Sequence, residues 1–396
     1  MKVVVTGGGS GGHITPVLAV AREIKNQQPK TEVIYIGYKG DPLADVPAQD
    51  SNIDLVYYVR AGKLRRYHGE GVKQLFDLPT LSKNIRDMFF TMVGVWQSFW
   101  LLRRLNPDVL FIKGGFVGLP VGLSAAMLRI PYVTHDSDAL PGLANRLVAP
   151  WAKIHAVGLP KEVYSYPPER TVTVGVPYAK EFHLLKPSEM QNLRKQLGLD
   201  AFRKVVFVTG GGNGAQNLNN AVINCMPDLL ARYRDLVVIH ITGRAEEEKV
   251  QKRYQRLLSK EEQGRVITRG FVTNLYQYSG AADVIITRAG ATSMAEFAAQ
   301  AKACIVVPYP ILAGGHQLKN AKELADRKSI KMINERTLAE DSNSLMVPLV
   351  ELLDNPTLAK QLGAKLHAMA RPDAAERLAM LLLELGTKHR GSSVQK

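Results

Sequence analysis

Val3-Val4-Val5-Thr6-Gly7-Gly8-Gly9-Ser10-Gly11-Gly12-His13 is a β-branched run feeding a glycine loop. The amphipathic segment 17–24 follows, with Thr15 suited to a cap and Pro16 to the first helical position. A second strand is predicted at 33–36. The same order of events returns after residue 200. Val205-Val206-Phe207-Val208 leads into Gly210-Gly211-Gly212-Asn213-Gly214-Ala215, then a helical stretch over 218–230 and a strand over 237–241. Further strands are predicted at 109–112, 132–134, 284–287 and 305–307. Strands alternating with helices predict parallel sheets covered on both faces. The expected fold class is α/β, with two Rossmann-like doubly wound domains. The stretch 173–177 reads as a linker region. The polar, basic end, 386–396, reads as a disordered tail.

The chain has 396 residues. At roughly 150 residues per domain that bounds the count at two to three. Apolar residues make up 46 % and charged residues 22 %, a globular balance. There are 51 Lys and Arg against 36 Asp and Glu, a net charge of +15. Such an excess favours nucleic acid, an acidic membrane surface or phosphorylated substrates. Cys225 and Cys304 sit in apolar surroundings and read as buried free thiols. The first residues read as a strand and lack the apolar core of a signal peptide. No stretch of about 20 apolar residues exists, which excludes a spanning helix.

Both loops fit dinucleotide spacing, at Gly7, Gly9 and Gly12, then at Gly210, Gly212 and Ala215. Glycine lets backbone N–H groups approach a phosphate at a helix N-terminus, though a plain tight turn has the same spelling. An NAD site also wants a carboxylate at the end of the second strand. Those ends read Ile36-Gly37-Tyr38 and Thr242-Gly243-Arg244, which counts against NAD. His13 closes the first loop and is a candidate general base or a loop-stabilising residue. In Thr287-Arg288-Ala289-Gly290-Ala291-Thr292-Ser293-Met294-Ala295-Glu296, Ser293 and Glu296 have capping-box spacing. The alternative is that Glu296 accepts from a ribose diol while the N–H groups of 291–293 face a diphosphate. After Pro308-Tyr309-Pro310 comes His316-Gln317-Leu318-Lys319-Asn320, polar groups that suit sugar hydroxyls or capping. No metal-ligand spacing and no G-x-S-x-G elbow is present.

Residues 88–102 are mostly apolar and aromatic, with Arg86, Arg103 and Arg104 flanking and Lys63, Arg65, Arg66 and Lys73 upstream. The stretch is too short to span a bilayer. It reads either as an interfacial helix or as a core helix before the strand at 109.

The motifs Gly8-Gly9-Ser10-Gly11-Gly12-His13-Ile14-Thr15-Pro16, Gly114-Gly115-Phe116-Val117-Gly118-Leu119-Pro120, His135-Asp136-Ser137-Asp138, Gly211-Gly212-Asn213-Gly214-Ala215 and 288–296 occur in one order. With Pro308-Tyr309-Pro310 and 316–321, this order resembles the MurG family. Those are the UDP-N-acetylglucosamine:lipid I N-acetylglucosaminyltransferases of bacterial cell-wall synthesis. The resemblance covers nearly the whole chain. It implies a GT-B fold with an interdomain cleft and no metal or cofactor. It places an acceptor domain at 1–177, completed by a C-terminal helix within 372–396, and a UDP-sugar domain at 178–371. It implies transfer of N-acetylglucosamine to the 4-hydroxyl of the muramoyl sugar, with inversion.

By the same resemblance, Glu296 binds the ribose hydroxyls and the Val272 backbone reads uracil. Ala291, Thr292 and Ser293 face the diphosphate, and Gln317 contacts the donor sugar. Ser10, Gly11 and Gly12 face the diphosphate from the other domain, and Asn219 also matches. His13 is the first candidate for the base and Asp136 the second. Four positions depart from the family pattern. Asp138 replaces an Asn sugar contact, Gly212 a Ser, Ala179 an Arg and Phe116 a Tyr. The implied partners are the UDP-GlcNAc donor, the lipid I acceptor, an anionic membrane and cell-wall synthesis proteins. The implied location is peripheral, on the cytoplasmic face of the cell membrane. The alternatives are another GT-B enzyme (a glycolipid glycosyltransferase or a UDP-GlcNAc 2-epimerase) or a non-catalytic nucleotide-sugar-binding subunit. A nucleic-acid role lacks the aromatic-plus-basic sheet motif.

Overall fold

The computed structural model describes residues 1–63, 78–211, 214–310 and 315–394. The chain divides into two compact units. The first comprises Met1–Ala179 with Arg371–Lys396, and the second Lys180–Pro310 with Gln317–Ala370.

The first unit runs β1 (Lys2–Thr6), α1 (Gly11–Gln27), β2 (Glu32–Tyr38), α2 (Asp45–Ala48), β3 (Leu55–Val59), α3 (Leu78–Leu105), β4 (Val109–Ile112), α4 (Gly118–Met127), β5 (Tyr132–Asp136), α5 (Leu143–Val148), β6 (Ile154–Val157) and β7 (Thr171–Thr173). Its seven strands lie in the order β3-β2-β1-β4-β5-β6-β7, with every pairing parallel. Alternation along β1 sends Val3 and Val5 to one core and Val4 to the other, so both faces of the sheet are buried. The order reverses between β1 and β4. That makes a switch point, where the loops after two neighbouring strands diverge and leave a crevice.

The second unit runs α6 (Pro187–Gln196), β8 (Lys204–Thr209), α7 (Gln216–Arg232), β9 (Leu236–Ile241), α8 (Glu247–Leu257), α9 (Lys260–Gln263), β10 (Val266–Arg269), α10 (Leu275–Ala281), β11 (Val284–Thr287), α11 (Ala291–Ala299), β12 (Ala303–Val306), α12 (His316–Asp326), β13 (Lys331–Met332), α13 (Glu335–Glu340), α14 (Met346–Asp354) and α15 (Pro356–His367). Its six strands lie in the order β10-β9-β8-β11-β12-β13, and all pair in parallel. Val206 and Val208 face one core, Val205 and Phe207 the other. Its switch point lies between β8 and β11, the strands that carry the second glycine loop and the 288–296 motif. Cys225 and Cys304 are both buried and free.

Three local expectations change. The first helix starts at Gly11 behind an extended Ser10, so Thr15 and Pro16 lie inside it. The Thr15 hydroxyl donates to the Gly11 carbonyl at 3.1 Å instead of capping. The stretch 173–177 is anchored: Val174 is buried, and the N–H groups of Val174 and Gly175 both donate to the Val157 carbonyl. Residues 386–394 are not a disordered tail, because α16 (Ala374–Val394) continues through them; 395–396 lie outside the described residues. Ala375, Leu378, Ala379 and Leu382 of this helix complete the core beside α1. A Cβ on Gly386 would stand 2.8 Å from the Met1 sulfur, so glycine lets the helix lie that close.

Candidate functional site

The first unit gathers its functional side chains at the β1/β4 switch point. Ser10 caps α1 with extended backbone, and its hydroxyl bonds to His13 Nδ1 at 2.9 Å rather than to the helix. Gly11 has no atom within 4 Å of where a Cβ would stand, so no side chain shields the start of α1 there. His13 Nε2 lies 3.7 Å from the Cβ position of Gly114 in the β4–α4 turn. That turn is pressed against the glycine loop, since a Cβ on Gly115 would meet the Gly8 carbonyl at 2.6 Å. Phe116, one of the departures from the family pattern, packs on Tyr38 with ring centroids 4.4 Å apart. Burial and the nearby Lys113 cation push the half-buried imidazole of His13 down to about 3, so it is uncharged at neutral pH.

One carboxylate does stand after β2, against the sequence-based expectation. Asp41 accepts from the Gly9 N–H at 2.9 Å and from the Leu43 N–H at 3.0 Å. It shapes the loop from within and takes up a loop N–H that a phosphate would otherwise use. That leaves the start of α1 at Ser10, Gly11 and Gly12, rather than Gly9, as the candidate anion-facing part of the loop.

Asp136 is buried at the end of β5. It accepts from the Gly142 N–H at 2.9 Å, Asn145 Nδ2 at 3.0 Å and the Tyr166 hydroxyl at 2.8 Å. Burial raises its affinity for a proton and the bonds from Gly142 and Tyr166 oppose the rise. A carboxylate so occupied holds the 136–142 turn, which argues against Asp136 as the base. Asp138 follows in the same turn, half-exposed, with its carbonyl accepting from the Tyr164 hydroxyl at 3.0 Å. Lys113, one residue beyond β4, is only 4 % exposed, and sequence reading passed over it. The available signal was a lone cation directly after a fully apolar strand.

In the second unit α11 begins at Ala291 with Gly290 as its cap. No atom lies within 4 Å of a Cβ position on Gly290, so this helix start is also uncovered. Ser293 and Glu296 both lie inside the helix, and no side-chain cap bond forms, so the capping-box reading fails. Glu296 is 4 % exposed, and burial pushes its carboxyl up to about 8. Thr292 is buried, while Ala291 and Ser293 are half-buried. The Asn320 amide donates to the Ala289 carbonyl at 3.3 Å, which ties α12 to the turn before α11. Gln317 accepts from the Tyr309 N–H at 2.9 Å and fixes the 308–310 segment. Val272 follows β10, half-buried against the core.

One expected contact falls elsewhere. Asn219 is fully buried; it bonds His240 Nε2 at 3.1 Å and donates to the Thr242 carbonyl at 3.0 Å. Its place on the inner face of α7 makes it a support for the end of β9, not a ligand contact. Gly212 lies outside the described residues. Sequence reading also missed the partner of Arg288. That guanidinium forms a buried ion pair with Glu335 (NH2 to Oε1 at 3.0 Å) and lies over the Tyr309 ring at 5.4 Å.

Comparison with known proteins agrees with this two-unit layout. The glycosyltransferase family 28 N-terminal domain matches residues 3–157, and the family 28 C-terminal domain matches 205–378. A Bacillus subtilis relative is 31 % identical over 389 residues, spanning 97 % of this chain and 99 % of its own. One from Bacillus pumilus is 32 % identical over 387 residues, spanning 98 % and 100 %. Both are named UDP-N-acetylglucosamine--N-acetylmuramyl-(pentapeptide) pyrophosphoryl-undecaprenol N-acetylglucosamine transferase. Among solved structures, Acinetobacter baumannii MurG superposes with a TM-score of 0.65 at 22 % identity, covering 97 % of this chain and 99 % of that one. A UDP-GlcNAc 2-epimerase from Neisseria meningitidis reaches 0.65 at 14 % identity, covering 97 % and 100 %. The backbone is thus shared by transferases and epimerases, and the sequence separates them: the chain belongs to glycosyltransferase family 28, together with the N-acetylglucosamine transferases it matches end to end.

Proposed function

We propose that this chain is an inverting glycosyltransferase. It moves N-acetylglucosamine from UDP-GlcNAc to the 4-hydroxyl of the muramoyl sugar of lipid I, giving lipid II for peptidoglycan synthesis. The observation that carries the donor half is Glu296: a buried carboxyl without a capping partner, one helical turn from an uncovered helix start. Its two oxygens suit the two hydroxyls of a ribose, and the α11 N–H groups suit the diphosphate. Val272 and Gln317 supply the uracil and sugar contacts in this reading. Inversion in one displacement needs a base on the attacking hydroxyl and stabilisation of the leaving diphosphate. His13 is the base, with Nδ1 bonded to Ser10 and Nε2 3.7 Å from the Cβ position of Gly114. The acceptor lies against the first unit, near Ser10, Gly11, Gly12 and Asp138.

The acceptor is a lipid, and the first unit carries a surface suited to one. Ile85, Met88, Phe89, Met92, Trp96 and Trp100 stand exposed at three- and four-residue spacing along α3. Arg86 flanks this stripe, its guanidinium 5.7 Å from the Phe90 ring, and Arg103 and Arg104 close the helix. Lys63 is described beside it; Arg65, Arg66 and Lys73 lie outside the described residues. The opposite side of α3 packs inward, with Val95 accepting from Ser124 and Leu102 fully buried. The stretch thus does both jobs, core on one face and stripe on the other. No helix among the described residues is long and apolar enough to cross a membrane. In this reading the chain binds the cytoplasmic face of the membrane peripherally.

Incubating the pure protein with UDP-GlcNAc and a lipid I analogue tests the whole reading. The expected result is UDP and a β-linked disaccharide, with neither formed unless the acceptor is present. Conversion of UDP-GlcNAc alone would favour the epimerase alternative. Binding without turnover would favour the non-catalytic one.

A further inference from the structure

Tyr38 and Phe116 form an aromatic pair at the switch point of the first sheet. Tyr38 is the last residue of β2, and Phe116 lies in the turn between β4 and α4. Both reach the glycine loop that follows β1, the strand between them. A Cβ on Gly9 would stand 2.9 Å from Phe116 Cε1, and one on Gly8 would stand 3.4 Å from Tyr38 Cδ1. The two rings therefore rest on the backbone of the loop that leads into α1, beside the crevice where open parallel sheets take their ligands. Both side chains are only half-buried, so the pair keeps a face outside the core. Two neighbouring tyrosines spend their hydroxyls inside the fold. Tyr35 donates to the Gly7 carbonyl, and Tyr58 to the Ala44 carbonyl at 2.9 Å. The Tyr38 hydroxyl makes no hydrogen bond with a described residue. Burial and the Asp41 carboxylate push this phenol up to about 12, so at neutral pH it keeps its proton and can donate. Phe116 stands where the family pattern has a tyrosine. The hydroxyl absent there is present on the adjoining ring, with centroids 4.4 Å apart and planes tilted by 59°. An apolar platform with one spare donor suits a sugar ring, whose C–H face meets the aromatic surface while an oxygen takes the hydrogen bond.

We propose that Tyr38 determines acceptor specificity: the acceptor sugar lies against the Tyr38–Phe116 pair, and the Tyr38 hydroxyl donates to one of that sugar's oxygens. This rests on the reading that the acceptor lies against the first unit. Three variants test it. Tyr38→Phe removes the hydroxyl and keeps the ring, and Tyr38→Leu removes both. The double variant Tyr38→Phe with Phe116→Tyr moves the hydroxyl to the other ring. KM for a lipid I analogue and for UDP-GlcNAc, kcat, the UDP dissociation constant and the melting temperature are measured for each. Tyr38→Phe is expected to raise the acceptor KM about tenfold, the weight of one hydrogen bond, with UDP affinity and melting temperature unchanged. Tyr38→Leu should raise it further, to about fiftyfold, because the platform is lost as well. The double variant should return to within about threefold of the parent. A pair that only props the glycine loop would leave Tyr38→Phe silent, since the ring is retained. An acceptor KM for Tyr38→Phe within about twofold of the parent would therefore overturn the proposal, as would a loss that appears in the UDP-GlcNAc KM instead. A photoreactive lipid I analogue locates the acceptor independently. Crosslinks within 1–179 are expected, and crosslinks confined to 180–370 would overturn the acceptor reading itself.

Discussion

His13 and Glu296 carry opposite electrostatic problems, and each makes a prediction. Burial and Lys113 hold the His13 imidazole uncharged, so the base needs no deprotonation at working pH. His13→Ala should lower kcat by about 10²–10⁴ and leave UDP affinity unchanged, read by steady-state kinetics beside calorimetry. Because the ring charges only near pH 3, kcat/KM should show no acid limb from His13 between about pH 5 and 8. Glu296 runs the other way. Its carboxyl, raised to about 8, keeps a proton in the folded, ligand-free protein that the unfolded chain releases near its ordinary value of 4.5. The folded state then binds more protons between those values, so stability falls as pH rises through that window. Ribose hydroxyls donate to a charged carboxylate, so UDP-GlcNAc binding at pH 7 should release a proton. Calorimetry in buffers of different ionisation enthalpy should detect it, and Glu296→Gln should abolish it while weakening binding. Proton release unchanged in Glu296→Gln would exclude this residue as the source.

At the scale of the element, three helices decide what the protein meets. α1 and α11 both begin beside a glycine whose Cβ position has no atom within 4 Å, and in the proposed reading these two starts face the diphosphate. Such a start needs rigid support, and in the second unit the buried pair of Arg288 and Glu335 joins the end of β11 to α13. α3 has a different task. Its inner face is bound by packing, while Trp96 at 66 % and Trp100 at 54 % exposure gain nothing from the fold. Replacing Phe89, Met92 and Trp96 together by Ser should shift stability little, since exposed sites usually change it by under about 0.5 kcal/mol each. The same variant should bind anionic liposomes at least tenfold more weakly in flotation, and the parent's binding should weaken with salt. Equal flotation of parent and variant would remove the membrane role of the stripe.

At the scale of the whole molecule, each sheet reverses its strand order once, and both reversals fall at a glycine loop. The candidate site residues at these two loops therefore stand where such a topology opens a crevice. The first unit is also closed by residues from the far end of the chain. Leu378 and Leu382, both fully buried in α16, supply about 1.5–3 kcal/mol of burial each, against a typical domain stability of 5–15 kcal/mol. Deleting Arg371–Lys396 should therefore leave the first unit unable to fold cooperatively. Limited proteolysis should digest the region before Ala179 first and spare the second unit longer. Equal resistance of both would show that α16 is dispensable.

The repeated strand–glycine–helix pattern was enough to predict two parallel doubly wound sheets, because β-branched runs and glycine turns act locally. The order of weak motifs along the chain identified the family, and both glycine-bordered helix starts were legible from the glycines before them. What stayed hidden depends on which residues meet across the fold. Asp41 reaches back to Gly9 across 32 positions, and Arg288 meets Glu335 across 47. The capping-box reading of Glu296 failed on where α11 begins, which packing sets and spacing alone did not reveal. Asn219 reads as a ligand contact in sequence and proves to be a buried strut. The amphipathic spacing of α3 was visible, but which face remained outside depended on the other face seating against α4, where Ser124 donates to the Val95 carbonyl and a Cβ on Gly94 would stand 3.2 Å from Pro120. Local sequence determined the elements and the chemistry on offer. Only the tertiary structure decided which of those groups are spent inside the fold and which remain for a substrate, because burial and hydrogen-bond partners are set by residues distant along the chain.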